Sequence, residues 1–174
     1  MRLFIATLFA FCTHPAFAQD YVFEWTGSGG YSMRGAMSFP LSVGKGILTE
    51  AQVQCFEIEG FLDGAPIGRW ALEQLTEETT WQLNFDPEAQ RFLTASAELP
   101  VSQAWNMDGG GENCGDDGFG FNLGDFAQDL CLDNSLLVES QVPPSTPFPA
   151  TEVFGHVFSP DACFGAAIMS RGAR

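Results

Sequence analysis

Residues 21–40 constrain the fold more than any other part of this chain. Aromatic and apolar residues alternate with polar ones before the Gly-rich tetrapeptide 27–30, and the alternation resumes after it. A period of two on both sides of a Gly-rich turn predicts an antiparallel hairpin with one buried face. The register is constrained, because a slip of one residue would expose Phe23, Trp25 and Met37 to water. The segment therefore predicts an all-β architecture.

Residues 1–18 have the parts of a secretory signal peptide. A positive charge at Arg2 precedes a short apolar run, and a small-x-small triplet ending at Ala18 follows it. The run is shorter than the roughly 20 apolar residues of a membrane-spanning helix, and a buried N-terminal helix is the alternative interpretation. We expect cleavage between Ala18 and Gln19. The product, residues 19–174, is expected to be secreted or periplasmic, without insertion into a membrane.

The composition indicates a folded and strongly acidic protein. The 174 residues carry a formal net charge of −15, and cleavage of the signal would remove Arg2 and make the charge one unit more negative. Nucleic acid and anionic lipid attract Lys and Arg, so this charge argues against both as partners. Seventeen Phe and four Trp supply apolar surface for a core, which argues against disorder. We expect one domain over residues 19–174.

Four cysteines remain after cleavage, namely Cys55, Cys114, Cys131 and Cys163. An even number in an exported chain indicates two disulfides, and three pairings are possible. We favour Cys114–Cys131, because it closes a Gly- and Asp-rich segment with little apolar surface; closing such a loop contributes about 3 kcal/mol. Cys55–Cys163 would then join an early strand to a late one. In the rival pairing, a Cys55–Cys114 bridge would tie the acidic loop to the early sheet.

The middle of the chain alternates strands with turns. Residues 47–61 are predicted to be one strand in which the buried parity changes between Cys55 and Phe56. A β-bulge explains such a change, and a strand that crosses between two sheets is the alternative. Asp63-Gly64 marks a turn, and residues 67–72 resume a strand.

Two further hairpins are predicted. Residues 81–85 and 91–97 flank a turn that contains Asp86-Pro87, where proline suits the second turn position. Residues 153–158 and 163–169 would form a last hairpin.

The early hairpin and the Asp-Pro turn also carry a family resemblance. The matching residues are Gly29, Tyr31, Met33, Gly35, Met37 to Phe39, and Asn84 to Pro87. These segments resemble exported bacterial β-proteins, many of which carry a PEP-CTERM sorting tail. The resemblance covers roughly residues 21–95 and implies a β fold but no particular activity. The chain lacks the Pro-Glu-Pro motif of that tail, so the resemblance does not extend to the sorting route.

The frequency of turns predicts the fold class. About eight to ten short strands with regularly spaced turns are typical of an antiparallel β-sandwich or jelly roll. One short helix is predicted at residues 124–132, where apolar residues recur at helical spacing. The Pro-rich residues 143–149 are predicted to form an extended connection.

An acidic loop is the first candidate site. Its oxygen-bearing side chains are those of Asp108, Glu112, Asn113, Asp116 and Asp117. Calcium takes six to eight oxygen ligands of this kind, although the spacing does not match an EF-hand. A solvated loop held by Cys114 is the favoured interpretation, and a calcium site is the alternative.

Histidine and tryptophan offer further candidates. His156 is the only histidine after residue 18, and it lies between apolar Phe154 and Phe158, so we expect a partly buried structural role. Trp25 and Trp81 are expected in the core because they lie on apolar strand faces. The pattern leaves Trp70 undecided. Trp105, next to the acidic loop, is the tryptophan expected to be exposed, where it could stack on a sugar.

Two classes of function remain. The favoured one is an exported, non-catalytic β-sandwich of binding or structural type, with calcium, a surface glycan or an extracellular protein as ligand. The alternative is a small secreted hydrolase that uses two carboxylates, as glycoside hydrolases do. The 22 acidic residues would place carboxylates near one another on any sandwich. Since the sequence has no G-x-S-x-G elbow or other nucleophile–base constellation, it favours the binding or structural class.

Overall fold

The computed structural model describes residues 18–41, 43, 46–94 and 103–163. The described residues form thirteen strands and two short 3-10 turns, at Glu50–Gln52 and Leu72–Gln74. The strands are β1 (Ala18–Thr26), β2 (Tyr31–Pro40), β3 (Leu48–Thr49), β4 (Cys55–Leu62), β5 (Ala65–Ala71), β6 (Thr80–Gln82), β7 (Asn84–Asp86), β8 (Arg91–Phe92), β9 (Gln103–Met107), β10 (Phe119–Leu123), β11 (Gln128–Leu132), β12 (Ser135–Val142) and β13 (Ala150–Val153). Apart from Ala18, the predicted signal peptide lies outside the described residues.

The strands form three antiparallel sheets. The first sheet has the order β13-β1-β2-β4-β5, and the second has the order β12-β11-β10-β9-β6. A small third sheet has the order β3-β7-β8. Every strand pair in these sheets is antiparallel. The all-β, antiparallel fold class predicted from the alternation is therefore confirmed.

The first hairpin has the predicted register. Phe23 stands opposite Gly35 and Trp25 opposite Met33, and the side chains of Phe23, Trp25 and Met33 are all buried. The turn between the strands uses Gly29 and Gly30 with φ values of 62° and 84°. This left-handed conformation favours glycine because a side chain would be strained there.

Aromatic rings from all three sheets meet in one core. Between the first and second sheets, the ring centroids of Phe23 and Trp105 lie 5.5 Å apart, and those of Trp25 and Phe121 lie 5.4 Å apart. The third sheet contributes Phe92, whose ring centroid lies 4.9 Å from that of Phe23. Edge-to-face and tilted ring pairs of this kind add stability beyond their burial. The core therefore sits between the two large sheets, with the small sheet closing it on one side.

The prediction of one long strand over residues 47–61 is wrong. The chain forms β3 in the third sheet, makes a 3-10 turn at Glu50–Gln52, and begins β4 in the first sheet at Cys55. The parity change therefore marks the passage from the third sheet to the first and not a β-bulge. The alternative interpretation, a chain that crosses between two sheets, is the closer of the two. The predicted hairpin is also divided, because Trp81 belongs to β6 in the second sheet and β7 pairs with β8 in the third. Residues 95–97 of that prediction lie outside the described residues.

The predicted helix at residues 124–132 is wrong as well. Residues 128–132 form β11 between β10 and β12, and Phe126 is 95% exposed in the preceding turn. A short apolar run is compatible with a helix or a strand. Here the segment is a strand because β10 and β12 pair with it on both sides. The last predicted hairpin is not formed in the described part either. Residues 154–162 are irregular after β13, and residues 164–169 lie outside that part.

The described residues contain two disulfides, and these are the two pairings favoured from the sequence. Cys55–Cys163 links the start of β4 to the last described residue. Cys114–Cys131 ties the acidic loop to β11. The loop bridge is buried, with Cys114 2% and Cys131 0% exposed. Two disulfides suggest an oxidising, extracytoplasmic environment.

Candidate functional site

Four charged side chains of alternating sign cross the outer face of the first sheet, the face turned away from the second sheet. The register places Glu24 opposite Arg34 and Arg34 opposite Glu59. Glu59 in turn stands opposite Arg69. Opposite charges facing each other across strands stabilise a sheet by roughly 0.2–1 kcal/mol per pair. The row therefore favours this register of β1, β2, β4 and β5.

Arg34 is held in this row by an acidic neighbour and by an aromatic ring. Its Nε and Nη2 atoms donate hydrogen bonds to Glu59 Oε2 at 3.1 and 2.6 Å. The guanidinium also lies 4.7 Å from the ring centroid of Phe61, where the negative face of the ring attracts a cation. Glu24 is exposed, as Arg34 is, but unlike Arg34 it forms no hydrogen bond or ion pair within the described part of the chain.

A groove of about 680 Å³ lies on the outer face beside this charged row. Its floor is apolar, because Val22 and Ala36 stand opposite each other in the next row of the sheet. Thr151 of the edge strand β13 continues that row on one side, and Glu57 continues it on the other. We call this site the outer groove. Its lining includes Val22, Glu24, Arg34, Ala36, Thr151, His156 and Val157.

One wall of the outer groove is an irregular segment, residues 154–163, which we call the strap. Its backbone is hydrogen-bonded to the first sheet at three points, one of which is the bond from the Ser159 N–H to Glu57 Oε2 at 3.4 Å. The His156 N–H donates to Asp20 Oδ2 at 3.1 Å, and the Phe56 N–H donates to the Ala162 carbonyl at 2.7 Å. These bonds satisfy backbone groups that no strand pairing serves, so an irregular segment can lie flat on the sheet.

The strap is also fixed by a polar network centred on Arg69. The guanidinium donates to both oxygens of Asp161 at 2.7 and 2.9 Å, and to Ser159 Oγ at 2.7 Å. These hydrogen bonds hold the pKa of the Asp161 carboxyl well below its usual range. Glu57 completes the network: it accepts a hydrogen bond from the Ser159 hydroxyl, and His156 Nε2 lies 3.6 Å from its Oε1. Each charged side chain of the network is therefore paired with an opposite charge or accepts a hydrogen bond from a hydroxyl group.

This network contains a serine, a histidine and a glutamate, but their geometry differs from that of a hydrolytic triad. In a triad the serine hydroxyl donates to the imidazole, which takes up its proton. Here the Ser159 hydroxyl is directed at the carboxylates of Glu57 and Asp161 instead. The arrangement is that of a structural anchor. The partial burial expected for His156 is found, with 28% of its side chain exposed and its ring packed on Phe158.

The residues predicted to form a calcium loop fall into two groups. Asp108 folds its carboxylate back onto its own turn: Oδ1 accepts from the Gly110 and Glu112 N–H groups, and Oδ2 accepts from Asn113 Nδ2. Such bonds are typical of a carboxylate that organises a loop. Asp116 and Asp117, the other group, take no part in these bonds.

The second group lies nearer the C-terminal end of the same loop. Asp116 Oδ1 accepts from Asn134 Nδ2 at 2.7 Å, and the Asp117 N–H donates to Asp133. Among the described residues, no three His, Cys, Asp or Glu side chains come close enough to hold a metal ion. Cys114 is bridged to Cys131 in this loop; the favoured interpretation, a solvated loop held by Cys114, and the alternative of calcium binding both stay predictions.

One prediction about the tryptophans is wrong. Trp105, expected to be exposed, is fully buried, because β9 lies between β10 and β6 and places this side chain on the inner face. Trp70, which the pattern left undecided, is also buried, at 2% exposed. Trp25 and the partly buried Trp81 pack in the core as expected. All four tryptophans therefore pack in or against the core.

A buried carboxylate lies on β11, opposite Asn122 of β10, and the sequence offered no sign of it. Asp129 is 3% exposed, and its Oδ2 accepts from Gln141 Nε2 at 3.0 Å. Its Oδ1 has no partner in the described structure. Burial raises the pKa of the Asp129 carboxyl, although the hydrogen bond from Gln141 opposes this. Asp129 does not line the outer groove.

The charged row was also missed from the sequence. Alternation shows that Glu57 and Glu59 share one face of β4, but it does not show which residues stand opposite them. That information depends on pairing with β2 and β5, which lie at different distances along the chain. A search for charged residues at alternate positions of neighbouring strands would have proposed Arg34 and Arg69 as partners.

No helix of the described residues has the length and apolar character needed to cross a membrane. Comparison with protein-family models, with curated proteins and with solved structures finds no match to this chain.

Proposed function

We propose that the protein is an exported, non-catalytic β-sandwich that binds a ligand in the outer groove. The observation that carries this proposal is the groove itself. Its volume of about 680 Å³ lies within the roughly 300–1,000 Å³ typical of ligand sites. An apolar floor and a few charged side chains at the margin are the usual composition of such a site.

The rigidity of the groove supports a binding role. Its floor is the middle of a five-stranded sheet, and its wall is fastened by Arg69, by Asp20 and by the Cys55–Cys163 bridge. A site whose walls are already ordered loses less entropy when it takes up a ligand. Export is supported by the signal-like residues 1–18 and by the two disulfides.

A substitution that fills the groove with a large side chain tests this proposal. Thr151 is exposed on β13 and lines the groove, so Thr151→Trp should fill part of the site, and a β-strand accommodates the larger side chain. Ser135→Trp, on an exposed position of β12 in the second sheet, is the matched control.

The measurement is the melting temperature with a panel of ligands. The panel contains neutral and acidic oligosaccharides and short peptides of positive, zero and negative charge. A ligand of the groove should raise the melting temperature of the native protein and of Ser135→Trp by mass action, but not that of Thr151→Trp. The proposal fails if no member of the panel gives a shift, or if every shift persists in Thr151→Trp.

A further inference from the structure

We infer that the outer groove takes an extended peptide segment of a partner protein, with an Arg or Lys side chain of that segment on Glu24. This inference rests on the proposed function, because it names the ligand class of the same groove. The argument follows from the distribution of charge, the shape of the site and the charge of the whole chain.

The two arginines that line the groove are already paired with carboxylates of this chain. Arg34 donates two hydrogen bonds to Glu59, and Arg69 is bound by Asp161. An anionic ligand would have to displace one of these carboxylates and would then meet like charges, which is unfavourable. The groove therefore does not suit phosphate, sulfate or an acidic peptide.

Glu24 is the charged side chain of the row that can still accept a partner of opposite charge. It is exposed, and within the described residues it has no hydrogen-bond or ion-pair partner. It stands at one end of the alternating row, next to Arg34 and at the side of the groove lined by Pro149 and Thr151. A cation placed there would extend the alternation of charge by one member. A guanidinium could also form two parallel hydrogen bonds with the carboxylate.

The remainder of the groove suits the apolar part of a peptide. Val22 and Ala36 form a flat apolar floor, and Val157 of the strap is 88% exposed at its margin. Phe154, also on the strap, is 93% exposed. A single amine would fill little of a site of about 680 Å³, whereas an extended segment could place a basic side chain on Glu24 and apolar neighbours on the floor and the strap.

The charge of the whole chain favours the same class of partner. A formal charge of −15 creates a field that attracts basic proteins and speeds their association. The same field repels a second copy of this chain. A basic segment of a different protein is thus the occupant that the groove and the chain both favour.

Three pools of amidated, acetylated pentapeptides test the inference. Each has the form Ala-X-Z-X-Ala with any apolar residue at X, and Z is arginine, the uncharged analogue citrulline, or glutamate. The arginine pool should raise the melting temperature of the native protein, and the other two pools should not. The Glu24→Gln variant should bind the arginine pool about tenfold more weakly, as expected for loss of a charge-assisted hydrogen bond. Glu88→Gln removes an exposed acid in the β7–β8 turn, outside the groove, and should bind like the native protein.

The outcomes separate this inference from the proposed function. An equal effect of the arginine and citrulline pools, or equal losses in Glu24→Gln and Glu88→Gln, would overturn the assignment of the cation to Glu24. If an oligosaccharide or another pool shifts the native protein but not Thr151→Trp, the groove is a binding site and the ligand class inferred here is wrong. If no probe shifts the native protein, the inference and the proposed function both fail.

Discussion

Two glycines on neighbouring strands leave space for one aromatic ring of the opposite sheet. Gly60 and Gly68 stand opposite each other on β4 and β5, and the ring of Phe119 from β10 packs onto both. A Cβ at Gly68 would lie 2.8 Å from Phe119 Cδ2, and one at Gly60 would overlap the end of the ring. The contact joins the two large sheets at a point where no side chain of the first sheet intervenes.

We therefore expect Gly60→Ala to destabilise the protein. The added methyl must displace the buried Phe119 ring, and overpacking of this kind costs about 1–3 kcal/mol. Gly109→Ala is the control, because a Cβ there meets nothing within 4 Å; it should change the free energy of unfolding by less than about 0.5 kcal/mol. Urea unfolding of both variants measures the difference, and equal stability of the two would contradict the packing argument.

The buried carboxyl of Asp129 predicts an effect of pH. Its pKa is raised in the folded protein, chiefly by burial. As pH rises above the ordinary value near 3.9, the unfolded chain loses this proton first, so the group lowers stability progressively up to its raised pKa. Asp129→Asn should therefore gain stability relative to the native protein as pH rises above about 4. Denaturation at several pH values measures this, with the exposed Asp125→Asn as control. A difference independent of pH would contradict the prediction.

At the scale of elements, the strap shows how an irregular segment is held on a sheet. The side chains of Ser159 and Asp161 form hydrogen bonds with Glu57 and Arg69 of two neighbouring strands. The carbonyls of the strap accept from the N–H groups of Phe56 and Glu73, at 2.7 and 3.0 Å. Because these two amides bond to the strap, their hydrogen exchange reports whether it is in place.

We expect Asp161→Asn to loosen the strap. The bond from Arg69 holds the Asp161 pKa well below its usual range, so this pair stabilises the fold above about pH 4 and the contribution is lost as pH falls. Both side chains are about a third or more exposed, which limits the cost to about 1 kcal/mol or less. The Phe56 and Glu73 amides should exchange faster in the variant at pH 7. Unchanged exchange, with Glu88→Gln as control, would show that the strap does not depend on Asp161.

At the scale of the whole molecule, the two disulfides close loops of different size. Cys55–Cys163 joins residues 108 positions apart, and Cys114–Cys131 joins residues 17 positions apart. The long closure connects the first sheet to the strap, while the short one holds the acidic loop on the second sheet. Their contributions should therefore differ in size and in place.

Replacement of each pair by alanine measures these contributions. In the chain-entropy model, loss of the long closure costs about 4–5 kcal/mol and loss of the short one about 3 kcal/mol. Denaturant unfolding of the two double variants gives the order. A larger loss for Cys114→Ala with Cys131→Ala would indicate that burial of that bridge outweighs loop-closure entropy.

Local alternation determined much of this fold from the sequence alone. The register of the first hairpin follows from it, because only one phase buries Phe23 and Trp25. The favoured Cys114–Cys131 disulfide also follows from local features, since a Gly- and Asp-rich loop needs a cross-link where it cannot form a core. For the hairpin the physical reason lies within a few residues of the turn, whereas Cys55–Cys163 follows only as the pair that remains.

Tertiary structure alone decided the features that depend on distant partners. Trp105 is buried because its ring packs on Phe23 and Phe56 of the first sheet, and residues 128–132 form a strand because β10 and β12 pair with them. The outer groove has the same origin: Glu24, Arg34 and Thr151 meet only through cross-strand register. Local patterns show which face a side chain occupies, but pairing between distant strands decides its neighbours.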